Sequence, residues 1–170
     1  MKKLYFLLVL SLLIGCSPQT SNQMAGGKAQ NKAKNVILLI GDGMGLTQIS
    51  AGLYANNNKL YLEQFKEIGL HKSYASDNLI TDSAAGATAF ACGKKTYNGA
   101  IAVDPDTTHL VTILEEAEAR GMATGLVATS TIVHATPASF IAHVTSRPLY
   151  GEISAQFLNT EIDCFVGGGR

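Results

Sequence analysis

The chain predicts an α/β fold, a mostly parallel sheet with helices on both faces, and three observations predict it. Val36-Ile37-Leu38-Leu39-Ile40 is an unbroken apolar run, with three β-branched residues among its five, the pattern of a strand buried on both faces of a parallel sheet. Further short apolar runs follow, at 70–75, 123–129 and 163–166. Helix-like segments with their own start and stop signals separate them, and that alternation implies helices covering a parallel sheet.

The elements follow in order. Met1-Lys2-Lys3 is a basic start, and Leu4 to Ile14 an apolar core of about 11 residues, too short to span a bilayer but suited to a secretory signal. It closes on Leu13-Ile14-Gly15-Cys16, which resembles a bacterial lipobox. Residues 1–15 are therefore expected to be a lipoprotein signal peptide, and Cys16 the lipidated residue. The chain is then expected to be exported and tied through that lipid to a bacterial membrane, on its periplasmic or outer side. Residues 16–34, rich in Ser, Asn, Gln, Gly, Ala and Lys, read as a flexible tether with a reach of roughly 23 Å.

Asp42 falls just past the carboxyl end of the first strand, where open α/β sheets place their ligands. Gly41, Gly43 and Gly45 surround it, but Leu46 occupies the sixth position of a dinucleotide fingerprint, and no Gly-Lys-Ser/Thr triplet follows. Both phosphate-loop patterns therefore fail. A carboxylate inside a phosphate cradle repels the phosphate unless a cation lies between them, so Asp42 reads as a metal ligand. Leu60 to Ile68 then reads as a helix stopped by Gly69, and Leu70 to Ala75 as a strand.

Thr81-Asp82-Ser83-Ala84-Ala85-Gly86-Ala87-Thr88-Ala89 places a hydroxyl and a carboxylate at the head of a run of small residues. A helix start there presents free N–H groups and the positive end of the dipole to an anion. Asp82 or Ser83 also suits a plain cap. Ile113 to Arg120 reads as a helix with Thr112 and Glu115 as its capping box and Gly121 as its stop. Strands follow at Ala123 to Thr129 and Asp163 to Val166. Between them, Thr136-Pro137 reads as a helix start with proline at its first position. Arg147 suits either a solvated helix end or a two-pronged grip on phosphate.

Zero formal charge and the absence of an aromatic-interleaved basic patch give no sign of nucleic-acid binding. Cys92 and Cys164 lie in apolar stretches, and two free buried thiols compete with a disulfide. None of the four histidines, His71, His109, His134 and His143, forms an i, i+4 pair. His71 in a strand, His109 ahead of a helix and His143 within one are expected to be structural.

Three stretches together resemble the alkaline phosphatase family: Asn35 to Gly45; Thr81 to Ala89 with Lys95-Thr96-Tyr97-Asn98-Gly99 behind it; and Ala135 to Arg147. They occur in the family's order. The resemblance implies a three-layer sandwich around a mostly parallel sheet, with residues 35–170 forming its N-terminal part. It implies hydrolysis of phosphate monoesters through a phosphoserine on Ser83. Asp42 is similar to the carboxylate shared by a zinc and the magnesium site, Thr136 to the hydroxyl on magnesium, Arg147 to the arginine that holds phosphate, and Asp82 to the aspartate supporting it. Two zinc ions and one magnesium are implied. His134 stands where some members carry aspartate and others histidine, and an imidazole suits zinc or cobalt better than magnesium, so another divalent metal is an alternative there. A homodimer is implied for a full-length chain.

Metal coordination is one way to activate a serine hydroxyl, so this scheme needs no lysine or histidine base. The remaining zinc ligands of the family come from later in the chain, so residues 35–170 are expected to be a front portion, inactive and poorly soluble alone. A phosphate-binding lipoprotein without turnover is the rival reading from another class. Sulfatases and phosphodiesterases of the superfamily fit less well, because Ala-Ala-Gly follows Ser83 and such diesterases usually carry threonine as nucleophile.

Overall fold

Parallel pairing needs a crossover of a dozen residues or more, and the chain supplies one. In the computed structural model, residues 33–168 are described. The leader, Cys16 and most of the tether lie outside them. Strands β1 (Gly125–Thr131) and β2 (Cys164–Gly168) run parallel, pairing Gly125 with Cys164, Leu126 with Phe165, Val127 with Val166 and, past an irregularity, Thr131 with Gly168. They form the two-stranded sheet of the described residues. Thr124 N donates to Asp163 Oδ2 at 2.8 Å, tying the two strand entries together.

Among the described residues, five helices accompany the strands: α1 (Leu46–Ala55), α2 (Ser83–Cys92), α3 (Ile113–Ala119), α4 (Ala135–Ala138) and α5 (Tyr150–Phe157), with a 3-10 turn at Tyr61–Gln64. None among the described residues is long and apolar enough to cross a membrane. The core gathers Ala84 and Ala91 of α2, Leu114 of α3, Ala135 and Ala138 of α4, the segment after α4, and Ile153 and Phe157 of α5. On α2, Ala84, Thr88 and Ala91 are wholly buried. Their spacing of four and three puts them on one helix face. Small side chains let that face approach α4 closely, and buried hydroxyls bridge the gap: Thr88 Oγ1 to Ser139 Oγ at 3.5 Å, and Ser139 Oγ to Ala84 O at 3.5 Å.

Local capping chemistry behaves as expected. Asp82 accepts from Ala85 N at the start of α2. Thr112 and Glu115 form a reciprocal box at the start of α3, and Gly121 follows its end with a φ of 70°, a value that favours glycine. Glu115 does more than cap. Its second oxygen meets His143 Nε2 at 2.9 Å, and Thr112 Oγ1 donates to Phe140 O at 2.9 Å. The start of α3 is thereby stapled to the segment that follows α4.

Several expectations are corrected. Residues 35–40 form no strand, and Val36 to Leu39 are 50–85% exposed. A strand buried on both faces exists only where neighbours flank it, and the described sheet consists of β1 and β2 alone. Leu70 to Ala75, with His71, is irregular for the same reason, and the helix expected over 60–68 shrinks to the 3-10 turn. His143 is not helical: the chain after α4 extends to pair Val144 with Ile101. The N-cap of α4 is His134, two residues earlier than Thr136. Pro137 is tolerated there because first-turn amides have no intrahelical acceptor. Helices α1 and α5 lie outside the elements expected from the sequence.

Cys92 and Cys164 are both free, and Cys164 is exposed rather than buried. Burial pushes the Cys92 thiol up to about 11, with the Glu115 charge adding and Lys94 opposing, so it stays protonated and unreactive.

Glu115 carries a pH prediction. Burial works against its ionised form, but the Thr112 amide and then His143 outweigh it and hold its carboxyl below the ordinary range. A depressed folded-state value stabilises the fold above the unfolded value, near 4.3, and that contribution disappears as pH falls through the folded value. In thermal melts, Glu115→Gln is expected to lower Tm at neutral pH. The gap to wild type should close below about pH 4; a gap constant with pH would contradict this.

Candidate active site

Six of the residues singled out in the sequence converge at one end of α2 and α4. Because α2 begins at Ser83 and α4 at Ala135, the close packing of the two helices brings the Ser83 and Thr136 hydroxyls to one place. Asp42 reaches it from the turn before α1, where Gly43 has a φ of 67°. Ser83 Oγ lies 3.0 Å from both oxygens of Asp42, and Thr136 Oγ1 donates to Asp42 Oδ2 at 3.2 Å. One exposed carboxylate thus collects two hydroxyls from residues 41 and 94 positions away.

The second group adjoins the first. Asp82 divides its carboxylate: Oδ1 caps α2 by accepting from Ala85 N at 2.9 Å, and Oδ2 accepts from Arg147 Nη1 at 3.2 Å. Arg147 Nη2 lies 3.1 Å from His134 Nε2. Guanidinium can only donate, so His134 Nε2 is the acceptor and its ring proton sits on Nδ1. Arg147 is held by the Asp82 carboxylate on one prong and by a neutral imidazole on the other. Both side chains of the Arg147–Asp82 pair are about a quarter exposed, at 27% and 26%, so the pair orients more than it stabilises.

The donor set also bears on metals. A carboxylate with two hydroxyls is an all-oxygen set suited to a hard divalent cation, and His134 adds a nitrogen donor beside it. The Nε2 lone pair that would serve a metal is the one that Arg147 now uses. Among the described residues, no three His, Cys, Asp or Glu side chains gather into a metal-binding group, whereas a catalytic zinc normally takes three protein ligands. The described residues thus fit part of a metal site and leave a zinc pair incomplete. Cys16 lies outside the described residues.

Sequence reasoning gave no role to Asn98 or to the His143–Glu115 pair. Asn98 bonds to Asp82 N and Ile80 O, contacts between loops that no periodicity reveals. The signal present was its place in the Lys95 to Gly99 stretch.

Comparison with known proteins shows the family of the chain. The family profile described as alkaline phosphatase matches residues 33–170. Alkaline phosphatase 3 of Bacillus subtilis is 43% identical over 94% of this chain and 38% of its own length. The Escherichia coli alkaline phosphatase is 42% identical over 81% of this chain and 35% of its own length. Among solved structures, alkaline phosphatase from the Antarctic bacterium TAB5 superposes with a TM-score of 0.77 at 52% identity, covering 79% of this chain and 40% of that one. A variant of that enzyme with histidine replaced by aspartate, with Mg bound in its M3 site, gives the same TM-score at 51% identity over 79% of this chain and 39% of the variant. The chain spans little more than a third of the length of these relatives.

Asp82 yields a prediction here. Asp82→Ala removes the α2 cap and should cost about 1 kcal/mol in urea denaturation. Asp82→Asn keeps a capping oxygen and should lose less than half as much; equal losses would show that the cap contributes nothing. The profile match over residues 33–170 makes this chain a member of the alkaline phosphatase family.

Proposed function

We propose that the chain supplies the nucleophile half of a site that hydrolyses phosphate monoesters. The observation that carries this is Ser83 Oγ facing both Asp42 oxygens at 3.0 Å at the N-terminus of α2, with the Arg147 guanidinium anchored on the adjacent Asp82. The first intrahelical bond of α2 runs from Gly86 N to Asp82 O, so the Ser83 and Ala84 amides precede it and suit an anion at the helix start.

In this reading Arg147 and those amides bind the non-bridging phosphate oxygens and hold phosphorus in line with Ser83 Oγ. Ser83 forms the new O–P bond as the ester oxygen leaves and takes a proton to become the alcohol. Water then attacks phosphorus, the Ser83 Oγ–P bond breaks as Oγ takes up a proton from that water, and Ser83 is regenerated while inorganic phosphate is released. Asp42 and Thr136 would hold a magnesium ion, Asp42 and Ser83 a zinc ion, and His134 a further donor at the magnesium site, with a second zinc needing ligands from elsewhere. Bound there, the metals would supply a lowered hydroxyl pKa and neutralise charge on the departing oxygen. The Mg-bound TAB5 variant, in which a histidine is replaced by aspartate, supports the view that a histidine or a carboxylate at such a site bears on which metal it holds.

The experiment is phosphate-ester turnover with a chromogenic aryl phosphate, by the protein that carries these residues. Ser83→Ala is expected to lower kcat by at least about 1000-fold, and an acid quench should trap a phosphoserine in wild type alone. Arg147→Ala should cost about 10- to 100-fold in kcat/KM and weaken inhibition by inorganic phosphate. If Ser83→Ala binds phosphate as wild type does and wild type shows no turnover with zinc and magnesium supplied, the non-catalytic binding reading takes over.

The address follows the same logic. We infer export and lipid anchoring through Cys16, supported by the basic start, apolar core and Leu-Ile-Gly-Cys sequence. Cys16→Ser is expected to move the protein out of the membrane fraction; unchanged fractionation would point to another means of attachment.

A further inference from the structure

We propose that Tyr97-Asn98-Gly99 is a positioning bracket that fixes the Ser83 turn and the Arg147 loop in one frame. The inference rests on the phosphomonoesterase reading and adds residues that touch no substrate. The bracket is a tight turn: Ala100 N donates to Tyr97 O at 3.2 Å, and Gly99 takes a φ of 93°, which only glycine adopts readily at a third turn position. On one side, the Asn98 amide spends both ends on the approach to the nucleophile. Its Oδ1 accepts from Asp82 N at 2.8 Å and its Nδ2 donates to Ile80 O at 2.9 Å. On the other side, Gly99 O accepts from Arg147 N at 2.7 Å, and the Tyr97 hydroxyl donates to Thr145 O at 2.9 Å. Three consecutive residues therefore hold the backbones of both halves of the phosphate site.

Residue type matters at each point. A carboxamide offers an acceptor and a donor on two separate atoms of one short side chain, so it can serve Asp82 N and Ile80 O at once. Aspartate lacks the donor, and alanine lacks both. Asp82 is the residue whose carboxylate orients Arg147, so a shift of its backbone moves Ser83 and the arginine's anchor together. Misplacement of reacting groups by about 1 Å is enough to cost about 100-fold in rate.

The test uses the full protein with zinc and magnesium supplied, an aryl phosphate substrate and inorganic phosphate as inhibitor. Asn98→Ala is expected to lower kcat/KM about 10- to 100-fold while the protein stays folded at the assay temperature by thermal melt. In an Arg147→Ala background the same change should cost less than it does in wild type, because one of the two groups it positions is gone. Wild-type kcat/KM in Asn98→Ala, or losses that simply multiply in the double variant, would overturn the bracket. If Asn98→Ala does not fold, Tyr97→Phe decides the matter, since it removes a single hydroxyl. A several-fold rise in the phosphate inhibition constant supports the bracket, and an unchanged constant and kcat refute it. Ser83→Ala, assayed alongside, separates the two levels. Full activity in that variant defeats the parent reading and the bracket with it, whereas an inactive Ser83→Ala beside an unaffected Asn98→Ala defeats the bracket alone.

Discussion

The close approach of α2 to α4 is the constraint on which the site depends. Ala84, Thr88, Ala91, Ala135, Ala138 and Ser139 are buried to within 1%, and no larger side chain fits without pushing the helices apart. Serine and threonine at the centre spend their hydroxyls inside the contact, Thr88 on Ala100 O at 3.2 Å and Ser139 on Ala135 O at 2.9 Å, so the packing carries polar groups without orphaning them. Helix ends follow from helix bodies. Once the bodies are this close, Ser83 at the head of one and Thr136 in the first turn of the other must share a neighbour, and Asp42 is that neighbour.

Local and non-local signals differ in how well the chain displays them. The Asp82 cap, the Thr112–Glu115 box and the Gly121 stop are legible because cap and helix lie within four residues of each other. The parallel relation of β1 and β2 is legible because helical segments lie between them. Asp42, Ser83, Thr136 and Arg147 were readable as candidates from residue type and order, but their convergence was not: it depends on contacts spanning up to 94 positions. The failures share one cause. Val36 to Ile40 and Leu70 to Ala75 have strand composition, yet a strand exists only by pairing, and composition says nothing of whether a partner is at hand. His143 fails in the opposite direction, since pairing of Val144 with Ile101 overrides a local pattern that continues the helix.

The charges at the site are arranged by what each acceptor is already doing. Asp82 has given one oxygen to the α2 cap, so a single oxygen remains for Arg147, and the contact is one hydrogen bond rather than a two-pronged clamp. That leaves the fork under-determined, because one bond permits rotation of the guanidinium plane. His134 supplies the second point from the opposite prong, and as a neutral acceptor it adds direction without adding negative charge. Two carboxylates in those places would form a tighter ion pair and cancel more of the positive charge that the guanidinium presents. An imidazole on one prong aims Arg147 only for as long as no cation claims the Nε2 lone pair, while the remaining N–H groups and the net charge of the guanidinium stay available to an anion.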